Sequence, residues 1–226
     1  MKLKTMTRIF LYLLLCFFTS KSSGQNFEIS GGVNRNKFGD FHREVGHFIS
    51  DYTPDYGYSF GMSISNFKID TLPMRLSLRI DNYKGKFYTT SGGRGGAQKT
   101  EAEIEKTTIG LGFYPVNFAI LKKIELGIGG ELSFKINDKT TGYKSSWSMG
   151  APGTYMTIEN DSVKINKNFF WGFSGRISYD LKINETWFVS PQYKYHLGWS
   201  DEFKNTEAKI KSLRHNFEIG IIRRIG

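Results

Sequence analysis

Long hydrophobic runs are missing from this sequence. The longest, Ile9 to Phe18, holds about ten residues, and a helix needs about 20 to cross a 30 Å hydrocarbon layer. No segment therefore reads as a transmembrane helix. Cysteine is almost absent too. The single one, Cys16, lies inside that same run, so no disulfide framework supports the fold. No run of five or more bases exists, which speaks against a nucleic-acid partner. Metal-binding and nucleophile motifs are also lacking. His42 and His47 do not form an HExxH pair, and His196 and His215 have no His-x-Ser context. We expect neither a metal nor a cofactor, and no catalytic residue.

The start of the chain reads as a secretory signal. Lys2, Lys4 and Arg8 precede the short apolar run, and Ser22-Ser23-Gly24 supplies small residues for cleavage. Residues 1–24 are expected to be removed, leaving one domain over 25–226. Of the 31 basic residues, Lys2, Lys4, Arg8 and Lys21 leave with the signal while all 21 acids stay. The mature chain is then only mildly basic.

What the chain has in abundance is alternation. Eight segments sustain period two, the mark of a strand whose faces differ. Their apolar parities are Phe27 to Val33, Tyr56 to Ile64, Met74 to Ile80, Ile109 to Phe113, Ile124 to Ile136, Phe169 to Tyr179, Trp187 to Trp199, and Leu213 to Ile221. No window shows a better helical period. The connections alternate as well. Those near Phe67 to Leu72, Tyr114 to Lys122 and Leu181 to Glu185 are short. Those at Asn34 to Asp55, Lys84 to Lys106, Asn137 to Asn168 and Ser200 to Lys211 are long. Ser91-Gly92-Gly93-Arg94-Gly95-Gly96 reads as a loop tip; it lacks the strand-to-helix context of a phosphate-binding loop.

Every charge placed within a strand falls on the polar parity. The acids are Glu28, Asp81, Glu125, Glu131, Asp180 and Glu218. The bases are Arg75, Arg79, Lys135, Arg176, Lys194 and Arg214. Aromatics recur at strand ends on the other parity: Tyr56, Tyr58, Phe113, Phe169, Trp171, Tyr179, Trp187, Tyr195 and Trp199. A soluble lipocalin-like lipid-binding barrel would alternate in the same way with its apolar face inside. Three features favour the inverted arrangement. The charges balance, six against six. The polar face is rich in Gly and Ser. The aromatics form two girdles of the kind found at membrane interfaces. The expectation is an all-β, closed, up-and-down antiparallel transmembrane β-barrel of eight strands, with the twelve charges as a lumen ion-pair network.

The chain resembles the small outer-membrane barrels of the OmpA, OmpX and OmpW kind, and the broad outer membrane protein β-barrel domain group that includes the PorT-like barrels. The resemblance covers Phe27 onward and rests on pattern rather than on a motif. It departs at the end: many such barrels finish on an aromatic, whereas this chain ends Ile221-Ile222-Arg223-Arg224-Ile225-Gly226. Lipid A deacylases and acyl transferases share this size and topology, but their histidine–serine chemistry has no counterpart here. The resemblance implies a Gram-negative outer-membrane location and contact with outer-membrane lipids.

Two roles fit this reading. One is a structural or interaction barrel with a plugged lumen. The other is a narrow, porin-like pore for small or apolar solutes. Two surfaces offer protein contacts. The long loops carry Phe38, Phe41, Phe48, Tyr52, Trp147 and Tyr155, suited to a cell-surface partner. The short-turn end carries Lys68, Lys122, Lys123, Lys182, Arg223 and Arg224 against Asp70 and Glu185. That basic rim suits lipid phosphates or an acidic periplasmic partner.

Overall fold

A computed structural model of the chain describes residues 25–39, 43–45, 48–69, 72–120, 123–158, 168–202 and 211–225. Every regular element among them is a strand. In chain order these are β1 (Gln25–Gly39), β2 (Arg43–Val45), β3 (Phe48–Ile69), β4 (Leu72–Gly93), β5 (Gly96–Ile120), β6 (Ile124–Ser148), β7 (Ala151–Ile158), β8 (Phe169–Tyr179), β9 (Leu181–Lys182), β10 (Trp187–Gly198) and β11 (Lys211–Ile225).

Eight of these close a ring. Antiparallel pairing runs β1–β3–β4–β5–β6–β8–β10–β11 and returns to β1. Each stave neighbours the next in sequence, so the barrel is an up-and-down meander without edges. Strands β2, β7 and β9 extend β3, β6 and β10 as short hairpin partners. Each of the eight alternating segments supplies one stave.

Burial follows the alternation. Along β8 it switches strictly between exposed Phe169, Trp171, Phe173, Ile177 and Tyr179 and buried Phe170, Ser174, Arg176 and Ser178. The polar parity points inward and the aliphatic and aromatic parity points out. Ile128, Ile219, Phe217 and Ile136 are all more than half exposed, while Arg79, Glu131 and Arg176 are 2–3 % exposed. A soluble lipid carrier requires the reverse, so the lipocalin-like alternative falls here. The outward apolar band has a definite height. The 11 residues of β8, at about 3.3 Å each and tilted about 40°, rise roughly 28 Å. That matches a bilayer's hydrocarbon core, and no charged residue interrupts the band among the described residues.

Three loop readings give way to strand. Within Asn34 to Asp55, β1 runs on to Gly39 and β3 begins at Phe48. The stretch Lys84 to Lys106 is a β-hairpin. β4 and β5 stay paired up to Gly93 opposite Gly96, leaving Arg94 and Gly95 as the turn. The stretch Asn137 to Asn168 likewise begins as strand, with β6 continuing to Ser148 and turning into β7. Both β5 and β6 are 25 residues long, more than twice the roughly 9–11 that span a membrane. Together β3 to β7 rise above the apolar band as an extended sheet. Its surfaces are laced by exposed ion pairs, Lys86–Glu103 at 3.2 Å and Lys99–Glu101 at 2.5 Å. Such pairs add little stability; on the inner face Ala102 and Ile104 are buried, alternating with Glu101, Glu103 and Glu105.

The short connection expected at Tyr114 is also strand. β5 continues to Ile120 through a bulge that sets Tyr114 and Pro115 against Gly129 alone. Tyr114 keeps the inward parity of Gly110 and Gly112, and the extra residue then swaps parity so that Val116, Phe118 and Ile120 join the outer band. Gly129 makes this possible: a Cβ there would lie 2.0 Å from the Phe113 carbonyl oxygen. Phe113 consequently lies within the apolar band rather than at its rim, a correction to its place in the girdle.

Candidate functional site: a charged lumen

Inside the ring the charged side chains form one connected lattice. Glu28 on β1 meets Arg75 on β4 at 2.7 Å and Arg176 on β8 at 3.0 Å. Glu125 on β6 meets the same two arginines at 3.6 and 2.9 Å. Next come Arg79 with Asp81 at 2.8 Å and with Glu218 at 3.1 Å, and Lys194 with Glu218 at 2.7 Å. Glu131 then links Arg79 at 3.8 Å to Arg214 at 3.6 Å. β4 and β11, like β6 and β11, are three staves apart in a ring of eight, so these pairs cross the lumen rather than run along its wall.

Small neighbours make the crossing feasible. Ser30 and Ser59 donate to Glu218, and Ser133 donates to Glu131. Gln192 accepts from Arg176 and donates to Glu28. Gly112 faces the lumen where a Cβ would come within 2.4 Å of Ser77 Oγ. Larger residues on this parity would push the lattice apart. The Tyr114 hydroxyl, on the inward parity of Gly112, pairs with Ser174 Oγ at 2.9 Å.

Two residues expected in the lattice stand apart from it. Lys135 pairs within its own strand with Asp138, at 2.7 Å. Asp180 is held by a hydrogen bond from Ser190 at 2.8 Å near the turn below β8. Lys106 and Glu202 occupy the lattice instead. Glu202 belongs to the connection after β10 and is fully buried between Lys106 and Arg214, bonded to both. The balance remains six acids against six bases. Burial alone would raise the Glu202 carboxyl. Arg214 and Lys106 outweigh that and bring it down to about 2.

Aromatic rings roof this end of the lumen. Phe170 lies under both cations, 4.7 Å from Lys106 Nζ and 4.5 Å from Arg214 Cζ, and Tyr83 faces Arg214 at 4.8 Å. Phe38 and Tyr52, read from sequence as exposed loop aromatics, are buried here edge to face at 4.7 Å. Trp147 and Tyr155 are exposed at the tip of the extended sheet, with Met149 and Met156 beside them. The side chains of Phe41 and Phe48 lie outside the described residues, as do His42, His47 and the whole of 1–24.

The girdle aromatics lie on the outside. Trp171, Phe173 and Trp199 cluster with centroids 5.5–6.4 Å apart, and Phe134 meets Phe169 at 5.1 Å. Tyr56, Tyr58 and Tyr195 lie on the same face toward that end. Tyr179 and Trp187 mark the opposite rim, where Arg223 lies over Trp187 at 5.7 Å and Arg224 over Phe188 at 3.8 Å. Lys123 and Lys182 are exposed on this rim, whereas Lys122, Asp70 and the Lys68 side chain lie outside the described residues. His196 is buried beside Glu131 at 3.9 Å, and His215 faces outward with Nδ1 2.7 Å from the Tyr193 hydroxyl.

An apolar exterior over a charged, ring-closed interior decides the class. This is a membrane-spanning β-barrel. No protein-family description matches the chain, and no curated protein does. Among solved structures it is similar to neisserial surface protein A, 10 % identical over 91 % of this chain and 100 % of that one, TM-score 0.43. OprG from Pseudomonas aeruginosa is 13 % identical over 91 % and 99 %, TM-score 0.43. Ail of Yersinia pestis, solved with the heparin analogue sucrose octasulfate, is 9 % identical over 89 % and 99 %, TM-score 0.34. The architecture rests on the strand registers and the burial pattern, not on these likenesses.

Proposed function

We propose that this chain, after loss of residues 1–24 as a signal peptide, resides in the outer membrane as a structural and interaction barrel rather than as an enzyme or a channel. Its single domain, 25–226, would hold a sheet above the membrane on a plugged stave ring. The observation that carries this reading is the cross-lumen lattice. Acids and bases from staves three apart in the ring of eight meet at 3.0–3.6 Å, and Glu202 with Phe170 stoppers one end. Breaking such pairs to admit a solute exposes uncompensated buried charge, at several kcal/mol per ion. The surface left for recognition is the raised sheet. Its tip presents Trp147, Met149, Tyr155 and Met156 well beyond the band that lipid covers, a composition suited to a protein contact.

Purified protein in planar bilayers tests the reading. Insertion without steady conductance is the expected result. A steady conductance that shifts with Arg79→Ala or Glu131→Ala would replace it with a narrow pore.

A further inference from the structure

The outer surface carries a feature that neither the lumen nor the raised sheet explains. Along β1 the outward residues run Gly31, Val33, Arg35, Lys37. Pairing places Arg35 opposite His215 and Lys37 opposite Leu213, with Lys211 one pleat further on. Same-face residues on a strand are about 7 Å apart, and diagonal cross-strand neighbours about 7–8 Å. The three bases thus form a short stepped row just above the apolar band. No carboxylate lies within ion-pair distance of any of them among the described residues. Arg35 rests over the Tyr56 ring at 5.8 Å and Lys211 over Trp199 at 5.1 Å. The rings hold the cations at headgroup depth without neutralising them.

One pleat toward the chain termini, an apolar groove of about 650 Å³ opens on the same face. Gly31, Val33, Phe217, Ile219, Pro191 and Tyr193 line its near part. Gly31 and Pro191 are the short positions that leave it concave. Val33 and Phe217 follow Arg35 and His215 directly on their strands, so groove and cations are contiguous. Unpaired positive charge above a trough of hydrocarbon-lined surface matches an amphiphile with an anionic head.

We propose that this face is a specific site for a phosphate-bearing acylated glycolipid of the outer leaflet. Its phosphate sits against Arg35, Lys37 and Lys211, and an acyl chain lies in the groove. The proposal rests on the membrane orientation adopted above and adds a named ligand chemistry and position.

Native mass spectrometry of the folded barrel in detergent reads it. The probes are a phosphorylated acyl-glucosamine disaccharide lipid, its dephosphorylated form, and inorganic phosphate. Retention of the phosphorylated lipid over the dephosphorylated one by about tenfold is expected, with no competition from equimolar phosphate. The variant Arg35→Ser/Lys37→Ser/Lys211→Ser should lose that preference. Gly31→Phe should lose retention with every charge in place; a Cβ at Gly31 has only ordinary contacts, 3.7 Å at the nearest, so the variant folds. Equal retention of the two lipids, unchanged retention by either variant, or displacement by equimolar phosphate overturns the site. Heat-modifiable gel migration and bilayer conductance of the same samples report on the parent reading separately. A folded, silent barrel without lipid preference sinks this site alone.

Discussion

Glu202 and Arg214 meet inside the barrel although one belongs to a connection and the other to a stave. The Glu202 carboxylate bonds Arg214 with one oxygen and Lys106 on β5 with the other. A single acid from outside the ring is shared by two buried bases. Its removal therefore costs more than one contact. Glu202→Gln should lower stability by about 3–5 kcal/mol, the range for breaking a buried pair from one side. Urea-dependent unfolding from lipid vesicles measures it.

The same carboxylate makes the barrel acid-sensitive. Its folded pKa, about 2, lies below the ordinary 4.5. The stabilisation is present in full above pH 4.5 and is lost as pH falls toward 2. Roughly 3 kcal/mol should disappear across that window on this carboxylate's account, and Glu202→Gln should lose that much less than the unaltered protein. Unfolding midpoints between pH 6 and pH 2 for both proteins test this.

Glu218 and Lys194 offer a cleaner test of the lattice. Glu218→Leu leaves Lys194 without its ion-pair partner while Arg79 keeps Asp81 and Glu131, whereas Glu218→Leu with Lys194→Leu removes both ends of the pair. The double variant should be less damaged than the first single by about 1–3 kcal/mol. A thermodynamic cycle giving simple additivity would show that the pair is not coupled.

Position on the outer surface should dictate tolerance to charge. Ile128→Arg falls within the apolar band and should cost about 2–4 kcal/mol of folding into bilayers. Tyr155→Arg, on the raised sheet, should stay within about 0.5 kcal/mol. Folding yields into vesicles distinguish the two.

Much of this could be read directly from residues. Each of the eight alternating segments gives a stave because a strand separates its faces at every second residue, and Arg79, Glu131 and Arg176 kept to one parity. Charge balance and small residues on that parity pointed inward. Three features were hidden. Tyr114 and Pro115 look like a turn because a bulge inverts parity, and inversion mimics an end. Lys84 to Lys106 looks like loop because its alternating apolar positions, Ala102 and Ile104 between Glu101, Glu103 and Glu105, are too few to stand out from a polar run. Lys106 shares the inward parity of Ala102 and Ile104, and its partner Glu202 lies far away in sequence.

By itself the sequence determined the number of staves, the period and the separation of charge from hydrocarbon, since those are properties of neighbouring residues along one chain. Tertiary structure decided which side faced in, how far the sheet continued past the membrane, and that Glu202 rather than Asp180 completes the lattice. Those depend on closure of the ring, which brings residues far apart in sequence within reach and leaves a buried cation no partner except the acid that folding delivers.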